Sequence, residues 1–298
     1  MAFRPPSSII LPISTRMIRN STLGSGPSTR TYVIGHSSDE NDSLEDPFLI
    51  DLPHGQFAIN SKRGIGYKKV NEDRVIVLPQ FQFFSVIDGM GGPGDGEKAS
   101  EILTDELSRM PSPNLAEIMH VEERVAARIQ SECHTPESGV CFVMFWVKNS
   151  TLNICHVGDV KLALLDKDQK IKLETRDHTM LNAWIDQGYL SPEEALFHPQ
   201  RHIITKALTG NEIPKPEMQQ IALNYGDRLI VATDGLWDNF TIAEIIDMLS
   251  GSSPQEDTKM LMEKSLEKMQ RPRSDNWEGS LLPKPDNISI LIGDLTIR

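Results

Sequence analysis

The sequence has little cysteine, with 3 residues in 298. Their number is odd, and the spacing of Cys133, Cys141 and Cys155 matches no zinc-binding pattern. Because Cys141 and Cys155 lie in apolar segments typical of strands, we predict that both are buried free thiols. Free thiols are typical of a reducing compartment, so we expect a cytoplasmic protein.

Long hydrophobic runs and excess positive charge are also lacking. The longest apolar stretches are well short of a membrane span, and the N-terminus has no sustained apolar core that would indicate a signal peptide. The formal net charge is -12 and the isoelectric point is about 5.2. An acidic chain is a poor partner for phosphate backbones, so we expect neither a membrane span nor nucleic-acid binding.

The sequence contains no HExxH motif, and its 8 histidines are mostly scattered. His198 and His202 have HxxxH spacing, but Pro199 interrupts the helix that would place both rings on one face. These features argue against a zinc hydrolase.

Residues 1–57 differ in composition from the rest of the chain. The first 38 residues carry no acid, since the first acidic residue is Asp39, and Ser, Pro and Arg are abundant. We predict a loosely ordered N-terminal extension over 1–57 and a catalytic domain over 58–298. Three roles stay open for the extension: a flexible or regulatory arm, an organelle transit peptide, or a signal for delivery into a host cell.

From residue 58 onward, short apolar runs alternate with segments of helical periodicity. The runs at 73–78 and 81–88 flank a short proline-containing break and predict a hairpin, and helices are predicted at 97–110 and 114–132. Further strands and helices continue to a closing strand near the C-terminus. The order of elements predicts an α+β domain in which two antiparallel sheets are covered by helices.

Acidic residues recur where predicted buried strands meet loops. The residues in such positions are Glu72, Asp73, Asp88, Asp159, Asp234 and Asp286. A single aspartate there is usually a turn former, but strand ends of a sandwich meet at its rim and can gather several acids. Clustered carboxylates repel one another unless hard cations neutralise them, and oxygen ligands suit Mg²⁺ or Mn²⁺. Gly89 follows one of these acids, and its backbone can approach an ion closely because it has no β-carbon.

An ordered set of motifs then identifies a family resemblance. The segments that carry it are KKVNEDR (68–74), VIDGMGGPGDGEKAS (86–100), ESGVCFV (137–143), HVGDVKLAL (156–164), 176–210, GDRLIVATDGLWD (226–238) and DNISILI (286–292). Together they resemble the metal-dependent Ser/Thr protein phosphatases of type 2C in their bacterial form, over roughly residues 58–298. The resemblance implies a four-layer α-β-β-α sandwich with a binuclear Mn²⁺ or Mg²⁺ site at one end.

The resemblance also implies roles for individual residues. Asp88 would bridge both ions, with Glu72 and the Gly89 carbonyl on one side. Asp234 and Asp286 would hold the other ion, and Asp159 with Asp234 would form a possible third metal site. Asp73 matches the second acid of its motif, a supporting group near the ligands.

Three positions depart from the family pattern. Lys68 stands where the family usually has a phosphate-binding arginine, and lysine lacks the bidentate fork. Met90 replaces the histidine that animal members use as a general acid, although bacterial members also carry methionine there. Residues 139–141 lack the hydroxyl groups usual at that strand start. We place Asp88, Lys68 and Asp73 in the catalytic machinery.

Two functional hypotheses follow. The first is an active phosphatase that hydrolyses phosphoserine and phosphothreonine by direct attack of a water molecule activated by two metal ions. Its partners would be phosphorylated proteins, either Ser/Thr kinases or their substrates, and we expect a monomer. The alternative is a catalytically weak module that binds phosphoproteins, which only Lys68 supports.

Overall fold

The computed structural model describes residues 16–19, 30–35, 46–65, 70–272 and 281–297. Within these ranges the chain forms an 8-stranded and a 6-stranded antiparallel sheet. In spatial order, the first sheet contains β1 (Arg16–Arg19), β2 (Arg30–Ile34), β5 (Arg74–Leu78), β6 (Phe83–Met90), β7 (Gly139–Lys148), β8 (Thr151–Val157) and β12 (Glu217–Ala222), while β11 (Leu208–Thr209) pairs with β7. The second contains β10 (Ile171–Glu174), β9 (Lys161–Leu165), β13 (Arg228–Ala232), β14 (Ile288–Leu295), β4 (Gly55–Lys62) and β3 (Phe48–Leu52).

Helices cover the outer face of each sheet. The helices are α1 (Asp95–Ser108), α2 (Leu115–Glu132), α3 (Met180–Asp186), α4 (Pro192–Leu196), α5 (Asp234–Trp237), α6 (Ile242–Met248) and α7 (Pro254–Gln270). Apolar side chains of α1 and α2 pack on the first sheet, and those of α5, α6 and α7 pack on the second. A third apolar cluster lies between the sheets. The four layers α-β-β-α predicted from the resemblance are confirmed.

Strand β7 shows why the two sheets are buried on both faces. Its sequence GVCFVMFWVK is apolar almost throughout, rather than alternating with polar residues. Val143 and Phe145 face the opposite sheet, whereas Phe142 and Met144 face the helices α1 and α2. A strand covered on both sides has no solvent face, so it needs no polar alternation.

Several helices begin at a residue whose side chain accepts a hydrogen bond from a backbone N–H of the first turn. The Asn114 side chain accepts a hydrogen bond from the Glu117 N–H at 3.1 Å and so caps α2. Ser191 and Thr241 each form a reciprocal capping box with a glutamate in the first turn. Helix α4 starts with Ser191 as its cap and has Pro192 in its first turn.

The expectation of a loosely ordered segment over 1–57 is wrong for its described part. Strands β2 and β3 lie wholly within 1–57, and β4 crosses the predicted boundary. Tyr32 and Phe48 are almost fully buried, and their ring centroids lie 5.2 Å apart between the two sheets. These strands are short and flanked by Ser, Gly and Pro, so local pattern does not reveal them. Pairing stabilises both: β2 pairs with the distant β5, and β3 pairs with the neighbouring β4 in a hairpin.

The described part of the chain contains no helix with both the length and the apolarity needed to cross a membrane. Cys141 and Cys155 are buried, as predicted, and Cys133 is partly exposed. All three cysteines are free. The predictions of a cytoplasmic location and a targeting role for residues 1–57 stay predictions.

Candidate metal centre

The predicted acidic residues lie at strand ends on one rim of the sandwich. Asp88 is near the end of β6, and Asp159 lies in the connection that carries the chain from β8 in the first sheet to β9 in the second. Asp234 is the first residue of α5, just after β13, and Asp286 lies just before β14. Each of these carboxylates therefore lies at or next to one end of a strand.

Electrostatics show that these carboxylates are close together. Burial raises the pKa of Asp88 well above its usual range, and four neighbouring acids raise it further. Those neighbours are Asp234, Asp73, Asp159 and Asp286. Burial, followed by the negative charge of Asp234, likewise raises the pKa of Asp159. Carboxyl groups with raised pKa values keep their protons to higher pH, which reduces their mutual repulsion.

Glu72 and the Gly89 carbonyl meet beside Gly96. The Glu72 side chain is buried, and the residue's backbone N–H donates to Asn287 Oδ1 at 2.9 Å. A β-carbon added at Gly96 would lie 2.9 Å from Glu72 Oε1 and 2.6 Å from the Gly89 carbonyl oxygen. A β-carbon at Gly89 would lie 2.1 Å from the Gly96 carbonyl oxygen. Both glycines are needed because the two backbones and one carboxylate share this space.

Asp73 lies behind the rim rather than at its surface. It is 1% exposed, and its Oδ2 accepts a hydrogen bond from Thr233 Oγ1 at 2.8 Å. Thr233 Oγ1 in turn accepts from the Ser289 backbone N–H at 3.0 Å. Asp73 thus connects the start of β5 to the strand ends that deliver Asp234 and Asp286.

Lys68 lies outside the described residues, so its predicted contact with phosphate stays a prediction. Lys284 and Asp238 are site residues that sequence reasoning missed. The Lys284 ammonium contacts Asp234 Oδ2 and lies 2.6 Å from Asp238 Oδ2 and 3.6 Å from Asp286 Oδ2. Burial lowers the pKa of Lys284, but the three carboxylates outweigh burial and raise it above its usual value. The signal in the sequence was its position in the KPDN stretch beside Asp286.

A second group of possible ligands lies beside the rim. His156 Nε2 is 3.0 Å from the Gly158 carbonyl oxygen, and His178 Nδ1 accepts from the Gly158 N–H at 3.0 Å. The two rings stack at 4.5 Å with an interplanar angle of 12°. One possible ligand atom from each histidine and one from Glu217 all lie within 4.8 Å of one another.

This group does not have the geometry of a metal site. The lone pairs of an imidazole lie in the ring plane, and two stacked, nearly parallel rings direct them along separate planes. His178 Nδ1 already accepts a hydrogen bond, so the neutral ring carries its proton on Nε2, the atom nearest Glu217 at 3.5 Å. The two histidines instead hold Gly158, the neighbour of Asp159.

The segment between β10 and β11 contains α3 and α4. An antiparallel bridge between Thr179 and Ile204 closes its base. The backbone N–H of Thr205 donates to the His178 carbonyl at 2.7 Å. The histidine pair therefore joins the base of this segment to the loop that carries Asp159.

Comparison with known proteins agrees with this fold. The family model described as Protein phosphatase 2C matches residues 58–183. The Ser/Thr protein phosphatase PstP of Mycobacterium tuberculosis is 28% identical over 249 residues, which cover 80% of this chain and 45% of PstP. The protein phosphatase PhpP of Streptococcus pneumoniae is 28% identical over 226 residues, covering 72% of this chain and 87% of PhpP.

Solved structures of bacterial Ser/Thr phosphatases have a similar fold. A crystal structure of the M. tuberculosis phosphatase matches with a TM-score of 0.69 at 27% identity, covering 82% of this chain and 100% of that chain. The PstP catalytic domain in complex with 2 manganese ions matches with a TM-score of 0.67 at 25% identity. The match covers 82% of this chain and 99% of that chain. The solved structures that share this fold are Ser/Thr phosphatases by their descriptions. Over residues 58–183 the chain matches the protein phosphatase 2C family model, and in sequence and fold it is similar to bacterial Ser/Thr protein phosphatases. It spans less than half the length of the PstP sequence that it matches, 45%.

Proposed function

We propose that this chain is a Ser/Thr protein phosphatase that uses two divalent ions to hydrolyse phosphoserine and phosphothreonine. The observation that carries the proposal is the convergence of carboxylates from distant strands around Asp88, whose pKa is raised by burial and by four neighbouring acids. Such a cluster fits divalent cations because it supplies only hard oxygen donors and has an excess of negative charge. The relatives' names, which describe Ser/Thr protein phosphatases, support the same activity.

The proposed ligands divide into two sides that share Asp88. Glu72 and the Gly89 carbonyl would hold one ion with Asp88, directly or through water. Asp234 and Asp286 would hold the other. Asp159 with Asp234 would hold a possible third ion. Mn²⁺ and Mg²⁺ both suit this oxygen set, and the PstP complex with manganese supports Mn²⁺.

Bound ions at such a site supply the acidity that activates a water molecule and the charge that holds phosphoryl oxygens. Other residues of the chain would position the ligands and bind the phosphate. Asp73, held by Thr233, fixes the strand ends so that the ligands keep their relative positions. Met90, partly buried near the end of β6, has no transferable proton, so the leaving hydroxyl of Ser or Thr takes its proton from water or another group. Lys68 would bind the phosphate as a point charge.

The substrates would be phosphorylated proteins, either Ser/Thr kinases or the proteins that they modify. We propose that the catalytic domain begins before residue 58 and includes β2 and β3, since both complete the sheets. A monomer is still the expected state. The alternative of a catalytically weak binding module is not favoured, because acids from distant strands act together on Asp88 and supply the negative charge that divalent ions would neutralise.

The test is Mn²⁺-dependent hydrolysis of p-nitrophenyl phosphate and of a phosphothreonine peptide by the full chain. The variants Asp88→Ala and Asp286→Ala should lose turnover, whereas Asp168→Ala, in an exposed turn away from the rim, should keep it. Tight peptide binding without metal-dependent turnover in the unmodified chain would reject the phosphatase and favour the binding module. Absence of both would reject the two hypotheses together.

A further inference from the structure

Lys284 places a positive charge within the cluster that the proposed function assigns to divalent ions. Its ammonium contacts Asp234 and lies 3.6 Å from Asp286 Oδ2. These are the two carboxylates that would hold one ion in addition to Asp88. The side chain is 23% exposed, so its charge is only partly screened by solvent.

The position of Lys284 is fixed by its backbone. Its N–H donates to Asn239 Oδ1 at 2.9 Å, and Asn239 Nδ2 donates to the Lys284 carbonyl at 2.9 Å. Asn239 is fully buried, and it also donates to the Gly235 carbonyl at 2.9 Å. Pro283 and Pro285 flank the lysine and restrict its backbone further. The fold therefore fixes the backbone of Lys284 beside these carboxylates, within reach of its side chain.

An ammonium and a divalent ion compete for the same oxygen atoms. A carboxylate lone pair that accepts an N–H of Lys284 is not free to bind a cation. Two positive charges a few ångströms apart also repel each other when both are partly buried. Asp238 offers the displaced ammonium another partner, since its Oδ2 lies 2.6 Å from Lys284 Nζ. A divalent ion can therefore bind at Asp234 and Asp286 if the lysine moves towards Asp238.

We propose that Lys284 is an internal cation that competes with the divalent ion at Asp234 and Asp286. The ion on this side of Asp88 binds more weakly than the ion on the side of Glu72 and Gly89. In the metal-free protein the lysine neutralises part of the acidic rim. The inference rests on the proposed metal centre and adds a residue that sets its affinity.

The test is calorimetric titration of Mn²⁺ into the metal-stripped full chain and three variants. Lys284→Met removes the charge, Lys284→Arg keeps it, and Lys172→Met removes a matched, partly buried lysine that pairs with Asp227 at the opposite end of β13. We expect Lys284→Met to lower the Kd of the weaker site by about tenfold, which corresponds to about 1.4 kcal/mol. Lys284→Arg and Lys172→Met should leave that Kd within about twofold, less than 0.5 kcal/mol.

Thermal unfolding without metal gives a second readout. Lys284→Met should have a lower Tm than the unmodified chain, and Mn²⁺ should restore it, because the ion replaces the lost positive charge. Lys172→Met should be destabilised equally with and without Mn²⁺. If Lys284→Met is unfolded without metal but folds when Mn²⁺ is added, the proposal is supported as well.

Two results would overturn the inference alone: equal Mn²⁺ affinities for the unmodified chain and Lys284→Met, or a Lys284→Met protein that Mn²⁺ does not stabilise. If the unmodified chain binds no Mn²⁺ at all, the proposed metal centre itself fails. The titration of the unmodified chain therefore separates failure of the function from failure of the inference.

Discussion

Asp73 Oδ2 accepts a hydrogen bond from Thr233 Oγ1 at 2.8 Å, although 160 residues separate them in sequence. Asp73 precedes a strand of the first sheet, and Thr233 follows a strand of the second. The bond therefore joins the two sheets at the rim where the proposed ligands gather. Both residues are buried, so the contact is shielded from water.

Loss of the Thr233 hydroxyl should destabilise the rim. Thr233→Val keeps the shape of the side chain but leaves the Asp73 carboxylate without this donor, and we expect a loss of about 1–3 kcal/mol in the free energy of unfolding. Thr233→Ser keeps the hydroxyl and serves as the control. Urea unfolding of the metal-free proteins measures the difference. Equal stability of the two variants would show that the bond does not matter.

A methyl group at Gly96 should impair the site although it favours the helix. Alanine stabilises helix interiors relative to glycine by about 1 kcal/mol. At this position, however, the methyl would lie 2.6 Å from the Gly89 carbonyl oxygen and 2.9 Å from Glu72 Oε1. Since small displacements of reacting groups can cost about 100-fold in rate, we expect a loss of that order in Mn²⁺-dependent turnover.

Gly92→Ala is the matched control for Gly96→Ala, because a β-carbon at Gly92 meets no atom within 4 Å. It should keep normal turnover with p-nitrophenyl phosphate. If Gly96→Ala is as active as Gly92→Ala, the proposed placement of Glu72 and the Gly89 carbonyl at the metal centre is contradicted.

Glu122 should make the fold less stable at alkaline pH. It is 2% exposed on α2, and burial raises its pKa to about 7 from 4.5. Its folded pKa is higher than its unfolded pKa, so its contribution to stability is present below pH 4.5 and is lost as the pH rises to about 7. Glu122→Gln should therefore stabilise the protein by about 1–3 kcal/mol at pH 8 and change little at pH 4.5.

Unfolding in urea at the two pH values measures this effect. Glu123→Gln is the control, since its side chain is 63% exposed and should change stability little at either pH. A Glu122→Gln protein with the same stability as the unmodified chain at pH 8 would show that the Glu122 charge is solvated.

His156 should make stability fall in acid. Burial, followed by the neighbouring His178, lowers the pKa of His156 to about 4 from 6.5, and its exposed fraction is 1%. The folded pKa is lower than the unfolded pKa, so the contribution is complete above pH 6.5 and is lost as the pH falls towards 4. His156→Gln can still donate to the Gly158 carbonyl but does not titrate, so stability should fall less steeply over this interval.

The exposed His120, whose side chain is 62% exposed, gives the control for this prediction as His120→Gln. Its pH dependence should match that of the unmodified chain. Identical slopes for His156→Gln and the unmodified chain would mean that His156 binds a proton in the folded protein as readily as in the unfolded one.

Much of the architecture was predictable because strands and acids coincide in the sequence. The runs at 73–78 and 81–88 correspond to β5 (Arg74–Leu78) and β6 (Phe83–Met90), and each adjoins or contains a rim acid. Asp88 could be assigned to the rim because it ends an apolar run and precedes glycines. The local pattern was sufficient to predict a strand wherever the apolar run was long.

Other features depend on contacts that a single sequence does not reveal. Strand β3 (Phe48–Leu52) is short, and it is stabilised by pairing with β4 and by burial of Phe48. The contact of Lys284 with Asp234 depends on how the loop before β14 folds back onto Asn239. The stacked histidines likewise come from separate segments, and only the tertiary fold brings them to Gly158.

The most direct test of the metal centre is anomalous diffraction from a crystal of the full chain soaked in Mn²⁺. The account predicts two strong peaks on either side of Asp88, one between Glu72 and the Gly89 carbonyl and the other between Asp234 and Asp286. Peaks located elsewhere, or a rim without any peak at saturating Mn²⁺, would contradict it.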